Sequence, residues 1–199
     1  MSRKAFFNKA AGTWDKRYGT PELAYFLQEL IPSFGLKPGQ KILDAGTGTG
    51  VLIPYLVQAV GPQGSITAID FAEEMVKICR KKYAHLPNVT VENQDVEKLD
   101  FPSRFFDAVT CFGLFPHIED KEKALLQMNR VLRKEGRLII SHALSRDELK
   151  ARHRDVTLAV AKDTLPDERE MRRLLHGSGF TDVHIRDEPG CYICTSSKP

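Results

Sequence analysis

The run most suited to chemistry is Leu43-Asp44-Ala45-Gly46-Thr47-Gly48-Thr49-Gly50, set between an apolar stretch and a helical pattern. Glycines there let the chain turn sharply and let backbone N–H groups approach a ligand with no Cβ in the way. Alone, such a turn serves dinucleotides, phosphates or plain helix-on-strand packing. Two carboxylates add context. Asp70 ends the next apolar run, where a carboxylate accepts from both hydroxyls of a ribose, and Asp95 follows the third run, near where an adenine amino group would lie. All three features fall at the carboxyl ends of adjacent expected strands, where open α/β sheets bind ligands. Asp44 has a simpler alternative, bonding the amides of its own turn. A NAD site is the nearest competitor, yet the spacing is Gly-x-Gly-x-Gly, without the third glycine of GxGxxG, and no dehydrogenase constellation follows.

These residues need elements to hold them. Five apolar runs, Lys41–Ala45, Ser65–Asp70, Val89–Glu92, Phe106–Cys111 and Arg137–His142, alternate with stretches of helical spacing, which predicts a parallel sheet covered by helices. Met75, Val76, Cys79 and Tyr83 form one core-facing stripe, and Leu125, Met128, Val131 and Leu132 another, with Gly136 expected to cap the second helix. Gly61 and Gly64 are expected to close the helix that begins near Gly50. Capping boxes at Ser145/Glu148 and Asp167/Glu170 start two later helices, the first a possible lid over 145–165. Val183–Arg186 and Tyr192–Thr195 flank Glu188-Pro189-Gly190 as a closing hairpin, 183–196 overall. Residues 1–37 form a helical arm, ended by the turn at Lys37-Pro38-Gly39-Gln40. Its Phe6, Phe7, Trp14 and Tyr18 either fold over a ligand or staple the arm to the core.

Taken together, Asp44–Gly50, Asp70 with Phe71-Ala-Glu-Glu-Met75, Asn93-Gln-Asp95-Val96, Phe106–Cys111 and Leu132-Arg-Lys-Glu-Gly136-Arg-Leu138 are far more specific than any one of them. The sequence resembles the class I S-adenosylmethionine (SAM)-dependent methyltransferases over nearly the whole chain, in the small-molecule branch with the ubiquinone/menaquinone C-methyltransferases. The resemblance implies one Rossmann-like α/β/α sandwich over 1–199. Its seven-stranded, mostly parallel sheet would run in the order 3-2-1-4-5-7-6, with one antiparallel strand. It implies that Gly46, Thr47, Gly48 and Gly50 hold the methionine and ribose part of SAM, with Asp44 orienting the loop or the amino group. Asp70 would hold the ribose, Phe71 and Met75 surround the adenine, Asp95 and Val96 meet its edge, and Cys111 form the floor near the sulfonium. Packing is the alternative for Met75 and Cys111. The quinone enzymes' N-terminal acidic and aromatic stretch is matched only loosely by Gly12–Tyr18, and their asparagine after strand four is not at His117's position, so quinone specificity does not carry over.

By the same resemblance, the loop Phe112-Gly-Leu-Phe-Pro-His117-Ile-Glu-Asp120 lies beside the transferable methyl. His117 suits a general base, with loop-shaping hydrogen bonding as the alternative, and His142 is the second candidate. Methyl transfer to a small-molecule acceptor is the favoured reading; action on RNA or protein, or a non-catalytic SAM or nucleotide sensor, are the others. The balance of 29 basic and 26 acidic side chains gives +3, far from a dedicated nucleic-acid binder, and no Asn-Pro-Pro-Tyr-type sequence follows strand four. No apolar run approaches the roughly 20 residues of a membrane span. The N-terminus reads as a mature cytoplasmic one. Cys79, Cys111, Cys191 and Cys194 fit reduced buried thiols. Residues three apart in a strand face opposite ways, so Cys191 and Cys194 should not share a metal, and no two histidines have tight ligand spacing. The charges of Arg146–Asp155 read as a solvated helix face.

Overall fold

A computed structural model describes residues 2–154 and 160–199. A seven-stranded sheet runs β3-β2-β1-β4-β5-β7-β6. Its strands are β1 (Lys41–Ala45), β2 (Ser65–Asp70), β3 (Val89–Asn93), β4 (Phe106–Phe112), β5 (Leu132–His142), β6 (Thr181–Glu188) and β7 (Cys191–Ser197). β1 to β5 are parallel, and β7 lies antiparallel between β5 and β6, as expected. The helices are α1 (Arg3–Tyr18), α2 (Pro21–Leu30), α3 (Ile53–Val60), α4 (Glu73–Tyr83), α5 (Lys121–Val131), α6 (Arg146–Arg154) and α7 (Glu168–Gly177). The possible lid over 145–165 includes residues 155–159, which lie outside the described ones. Among the described residues, no helix is long and apolar enough to cross a membrane.

The inner strands β1, β2 and β4 bury both faces, which is why they read as nearly unbroken apolar runs, whereas the edge strands β3 and β6 are largely exposed or half-buried. β4 shows the pattern at its strongest, with six successive buried residues from Phe106 to Cys111. One face packs Leu43, Val109 and Ile140 under α5 and α7, and the other packs Ile42, Ala108 and Ile139 under α2 and α3. Cys194 belongs to the first layer and Cys191 to the second, so the two thiols face away from each other.

The capping expectations meet two different outcomes. Ser145 and Glu148 form a reciprocal box, Glu148 N–H donating to Ser145 Oγ while Glu148 Oε2 accepts from Ser145 N–H. Asp167 accepts from the Glu170 amide, but the Glu170 carboxylate turns to Arg173 instead of back to the cap. At the end of α5 the expectation is overturned. Gly136 does not cap it: the helix stops at Val131, β5 already begins at Leu132, and the pairing with β4 bulges before Arg137, with Glu135 at φ +61°. The cause is distant in sequence, because the Lys198 ammonium donates to the carbonyls of Asn129 and Leu132 at 2.7 and 2.8 Å and closes the helix end from the far terminus.

Candidate active site

The carboxyl ends of β1, β2 and β4 lie side by side and open into two cavities of about 510 and 500 Å³. The cavities share Gly46, Asp70, Phe71, Leu114 and His117 as walls, so they form one trough across the strand ends. Asp95 and Val96 line the second cavity, and Thr47, Gly48 and Met75 line the first. Met75 therefore sits on the arm side of the trough, away from the Asp95 end.

The loop after β1 owes its shape to residues on three other elements. Gly46 and Gly48 adopt φ of +70° and +56°, and a Cβ on Gly46 would stand 2.7 Å from Leu114 Cβ. The backbone thus comes closer to its neighbours than any other residue allows. Asp70 grips the loop from β2, accepting from the Gly48 amide at 2.9 Å and, on its other oxygen, from the Ala72 amide at 2.9 Å. It is buried rather than at an open strand end, and burial pushes its carboxyl up to about 6 against the pull of those amides. Asp44 does not bond its own turn: its Oδ1 accepts from Thr110 Oγ1 at 2.9 Å across β1 and β4, while Oδ2 has no partner among the described residues. Burial likewise pushes it up to about 6. Thr47 Oγ1 is also buried without a hydrogen-bond partner among the described residues.

Three expected ligand-facing residues line neither cavity: Asp44, enclosed beneath the loop, Gly50 and Cys111. Gly50 (φ +89°) is a packing position: its carbonyl accepts from Tyr83 Oη at 2.7 Å, and a Cβ there would meet the Tyr83 ring at 2.4 Å. Cys111 is fully enclosed between β4 and α5, its thiol pushed far up by burial, and the wall at that level consists of Phe112, Gly113 and Leu114. The reason is strand alternation, which turns Cys111 into the core layer when its neighbour meets the trough.

The arm supplies the opposite wall. Phe6, Phe7, Trp14 and Tyr18 all line the first cavity, Phe7 stacks edge-on against Trp14, Phe71 and His117, and Trp14 Nε1 comes within 3.4 Å of where a Gly48 Cβ would be. Asp15 accepts from Thr49 Oγ1 at 2.5 Å, fixing α1 to the glycine loop. Leu149, Arg152 and His153 of α6 close the far side, with the Arg152 guanidinium over the Tyr18 ring.

Three histidines reach this cavity. His142 is half-buried, its enclosed Nδ1 without a partner among the described residues, and desolvation pulls its pKa down to about 3, so it is neutral. His153 is not on a solvated face, as the sequence suggested, but buried, its Nδ1 donating to the Asp163 carbonyl at 2.5 Å. His117 Nδ1 lies 2.8 Å from Asp163 Oδ2, and the same carboxylate accepts two close bonds from Arg3, at 2.6 and 3.1 Å. The partnership of Asp163, Arg3 and His153 is absent from the sequence reading. Asp163 sits between α6 and α7, outside any periodic pattern, and only a search for the carboxylate that a buried histidine needs would have pointed to it.

The trough suits an adenosyl sulfonium ligand: a close-approach glycine turn, the Thr47 side chain in its wall and a carboxylate one strand away. Comparison with known proteins agrees. A methyltransferase-domain family matches residues 36–179. The demethylmenaquinone methyltransferase of Staphylococcus aureus is 30% identical over 187 residues, covering 82% of this chain and 77% of that protein. A SAM-dependent methyltransferase from Aquifex aeolicus superposes with a TM-score of 0.73 at 28% identity, over 87% of this chain and 89% of its own. A fold likeness at 21% identity, to an S-adenosyl-L-methionine-dependent methyltransferase described as putative from Methanococcus maripaludis, reaches a TM-score of 0.76 over 96% of this chain and 93% of its own. Sheet order, trough and relatives lead to one conclusion: the chain belongs to the class I SAM-dependent methyltransferases and uses S-adenosylmethionine as its cofactor.

Proposed function

We propose that this methyltransferase acts on a small, largely apolar acceptor carrying a hydroxyl or an acidic carbon, with His117 removing the proton. The observation that carries the reading is the first cavity: about 510 Å³, walled by aromatic side chains of α1 and by Phe112, with His117 at its junction with the second. A partly open, largely apolar cavity of this size, shared between cofactor and acceptor, fits a small molecule better than an RNA strand or a protein segment. The relative from Staphylococcus aureus, named for demethylmenaquinone, also points to an apolar small acceptor.

In this reading Gly46, Thr47 and Gly48 receive the methionine and ribose part, Asp44 supports the loop from beneath, and Asp70 takes the ribose hydroxyls on the lone pairs its amide bonds leave free. Phe71, Asp95 and Val96 surround the adenine, and Met75 lines the arm side of the trough. Gly50 and Cys111 support the loop and the wall from behind. Bound there, SAM supplies a methyl group on a sulfonium, reactive enough that the protein has chiefly to align the acceptor and take its proton. α1 and α6 wall the cavity beside the reacting atoms. His142 and His153, held neutral by burial, are hydrogen-bonding groups for an uncharged acceptor oxygen.

The test is methyl-labelled SAM with a metabolite extract, in wild type and His117→Ala. Label should pass to a low-mass product, and His117→Ala should lower kcat by about 10²–10⁴-fold with little change in SAM affinity. Label passing only to RNA or protein overturns the acceptor class, and an unchanged kcat with a hydroxyl acceptor overturns the base.

A further inference from the structure

We infer that Asp163 is the positioning residue for His117: it fixes the imidazole in the tautomer that leaves Nε2 open to take a proton, and Arg3 holds it to that role. The inference rests on the reading of His117 as base. Three separate segments build the cluster. His117 comes from the loop after β4, Asp163 from the connection between α6 and α7, and Arg3 from the first turn of α1.

An ionised carboxylate only accepts hydrogen bonds. Asp163 is ionised, because the bonds from His117 and Arg3 outweigh the upward push of burial and hold it at about 2. With Asp163 Oδ2 at 2.8 Å, the proton of neutral His117 therefore sits on Nδ1, and Nε2 carries the lone pair. Nε2 makes no hydrogen bond among the described residues, and the ring lies at the junction of the two cavities. Phe7, edge-on at 5.1 Å, and His153, at 5.0 Å, clamp its faces.

Asp163 itself has no freedom to turn. Arg3 Nε reaches both carboxylate oxygens at 3.1 Å and its terminal nitrogen reaches Oδ1 at 2.6 Å, while the Asp163 carbonyl accepts from His153. Side chain and main chain are thus both pinned, and the carboxylate face given to His117 is chosen by a residue of the arm. The base is complete only with α1 docked.

The arrangement makes an unusual demand on an amide at this position. In Asp163→Asn the guanidinium claims the single carbonyl oxygen, so the amide must turn its NH₂ toward His117 Nδ1. That nitrogen must then accept, which moves the ring proton to Nε2 and blocks the base. Removing the guanidinium in Arg3→Met/Asp163→Asn frees the amide to rotate and present its oxygen again.

The test is heteronuclear NMR of the imidazole nitrogens in the full chain saturated with S-adenosylhomocysteine, whose retained binding also certifies the fold of each variant. Wild type should show His117 protonated at Nδ1, Asp163→Asn at Nε2, and the double variant a return to Nδ1. In the labelled-SAM assay on metabolite extract, Asp163→Asn should lose methyl transfer about as far as His117→Ala, by about 10²–10⁴-fold, and the double variant should recover part of it. A His117 that stays protonated at Nδ1 in Asp163→Asn overturns the inference whatever the turnover. A tautomer that inverts as expected while His117→Ala turns over at the wild-type rate overturns instead the base reading beneath it.

Discussion

At the end of β2, Asp70 accepts one loop amide and one amide of the following turn, and each oxygen keeps a further lone pair for a ligand. Asp70→Asn keeps one acceptor oxygen and the packing volume. It should weaken SAM binding by about 1.5–3 kcal/mol, about 10–100-fold in Kd by calorimetry, through loss of charge-assisted bonds. Asp44 invites a different measurement, because its carboxyl is raised to about 6 by burial and an acid with a raised folded pKa favours folding only while protonated. That contribution is whole below the unfolded value near 4 and is lost as pH rises through 6, about 2–3 kcal/mol in all. Asp44→Asn carries no such dependence. Urea unfolding of both proteins should show the variant gaining that amount on wild type between pH 4 and pH 7, and parallel curves would mean that Asp44 is not strained by its burial.

The elements around the site respond to packing more than to charge. Gly50 joins the glycine loop to α3 and lies against α4, where a Cβ would enter the Tyr83 ring and approach Cys79 Sγ at 2.9 Å, on a backbone already at φ +89°. Gly50→Ala should therefore cost about 2–4 kcal/mol of stability, from the left-handed backbone and the overpacking together. The loss should appear in thermal unfolding of the apo protein, before any ligand is added. This is also the scale at which sequence and structure agree best. β1 and β2 are apolar runs, and the β6–β7 hairpin turns at Pro189-Gly190 between Glu188 and Cys191, local signals that local structure obeys. The start of β5 was not legible, because Lys198, more than sixty residues away, caps α5. Nor were the burial of His153, the retreat of Cys111 or the partnership of Asp163, which depend on which side of an element faces which neighbour. Spacing alone does not encode that.

For the whole molecule, ligand binding and folding are one equilibrium. SAM and S-adenosylhomocysteine, binding the folded trough and not the unfolded chain, should stabilise by about 2.7 kcal/mol at a hundredfold excess over Kd, a rise of several degrees in Tm. NAD at the same concentration should leave Tm unchanged, and a rise with NAD alone would contradict the cofactor. α1 walls both cavities and is fastened along its length: Arg3 to Asp163 and Lys4 to Glu73 at the start, Asn8 to Glu73 and Glu74 in the middle, Asp15 to Lys82 and Thr49 at the finish. Apart from Arg3 with Asp163, these ion pairs are largely exposed, and mobile ions compete with exposed pairs. The arm is therefore a clasp whose tension depends on the surrounding electrolyte. With the cofactor placed as proposed, spent S-adenosylhomocysteine leaves past it. Raising salt from low to physiological strength should quicken S-adenosylhomocysteine dissociation in stopped-flow traces more than Lys4→Met/Lys82→Met does on the same salt change, since that variant has already released the clasp.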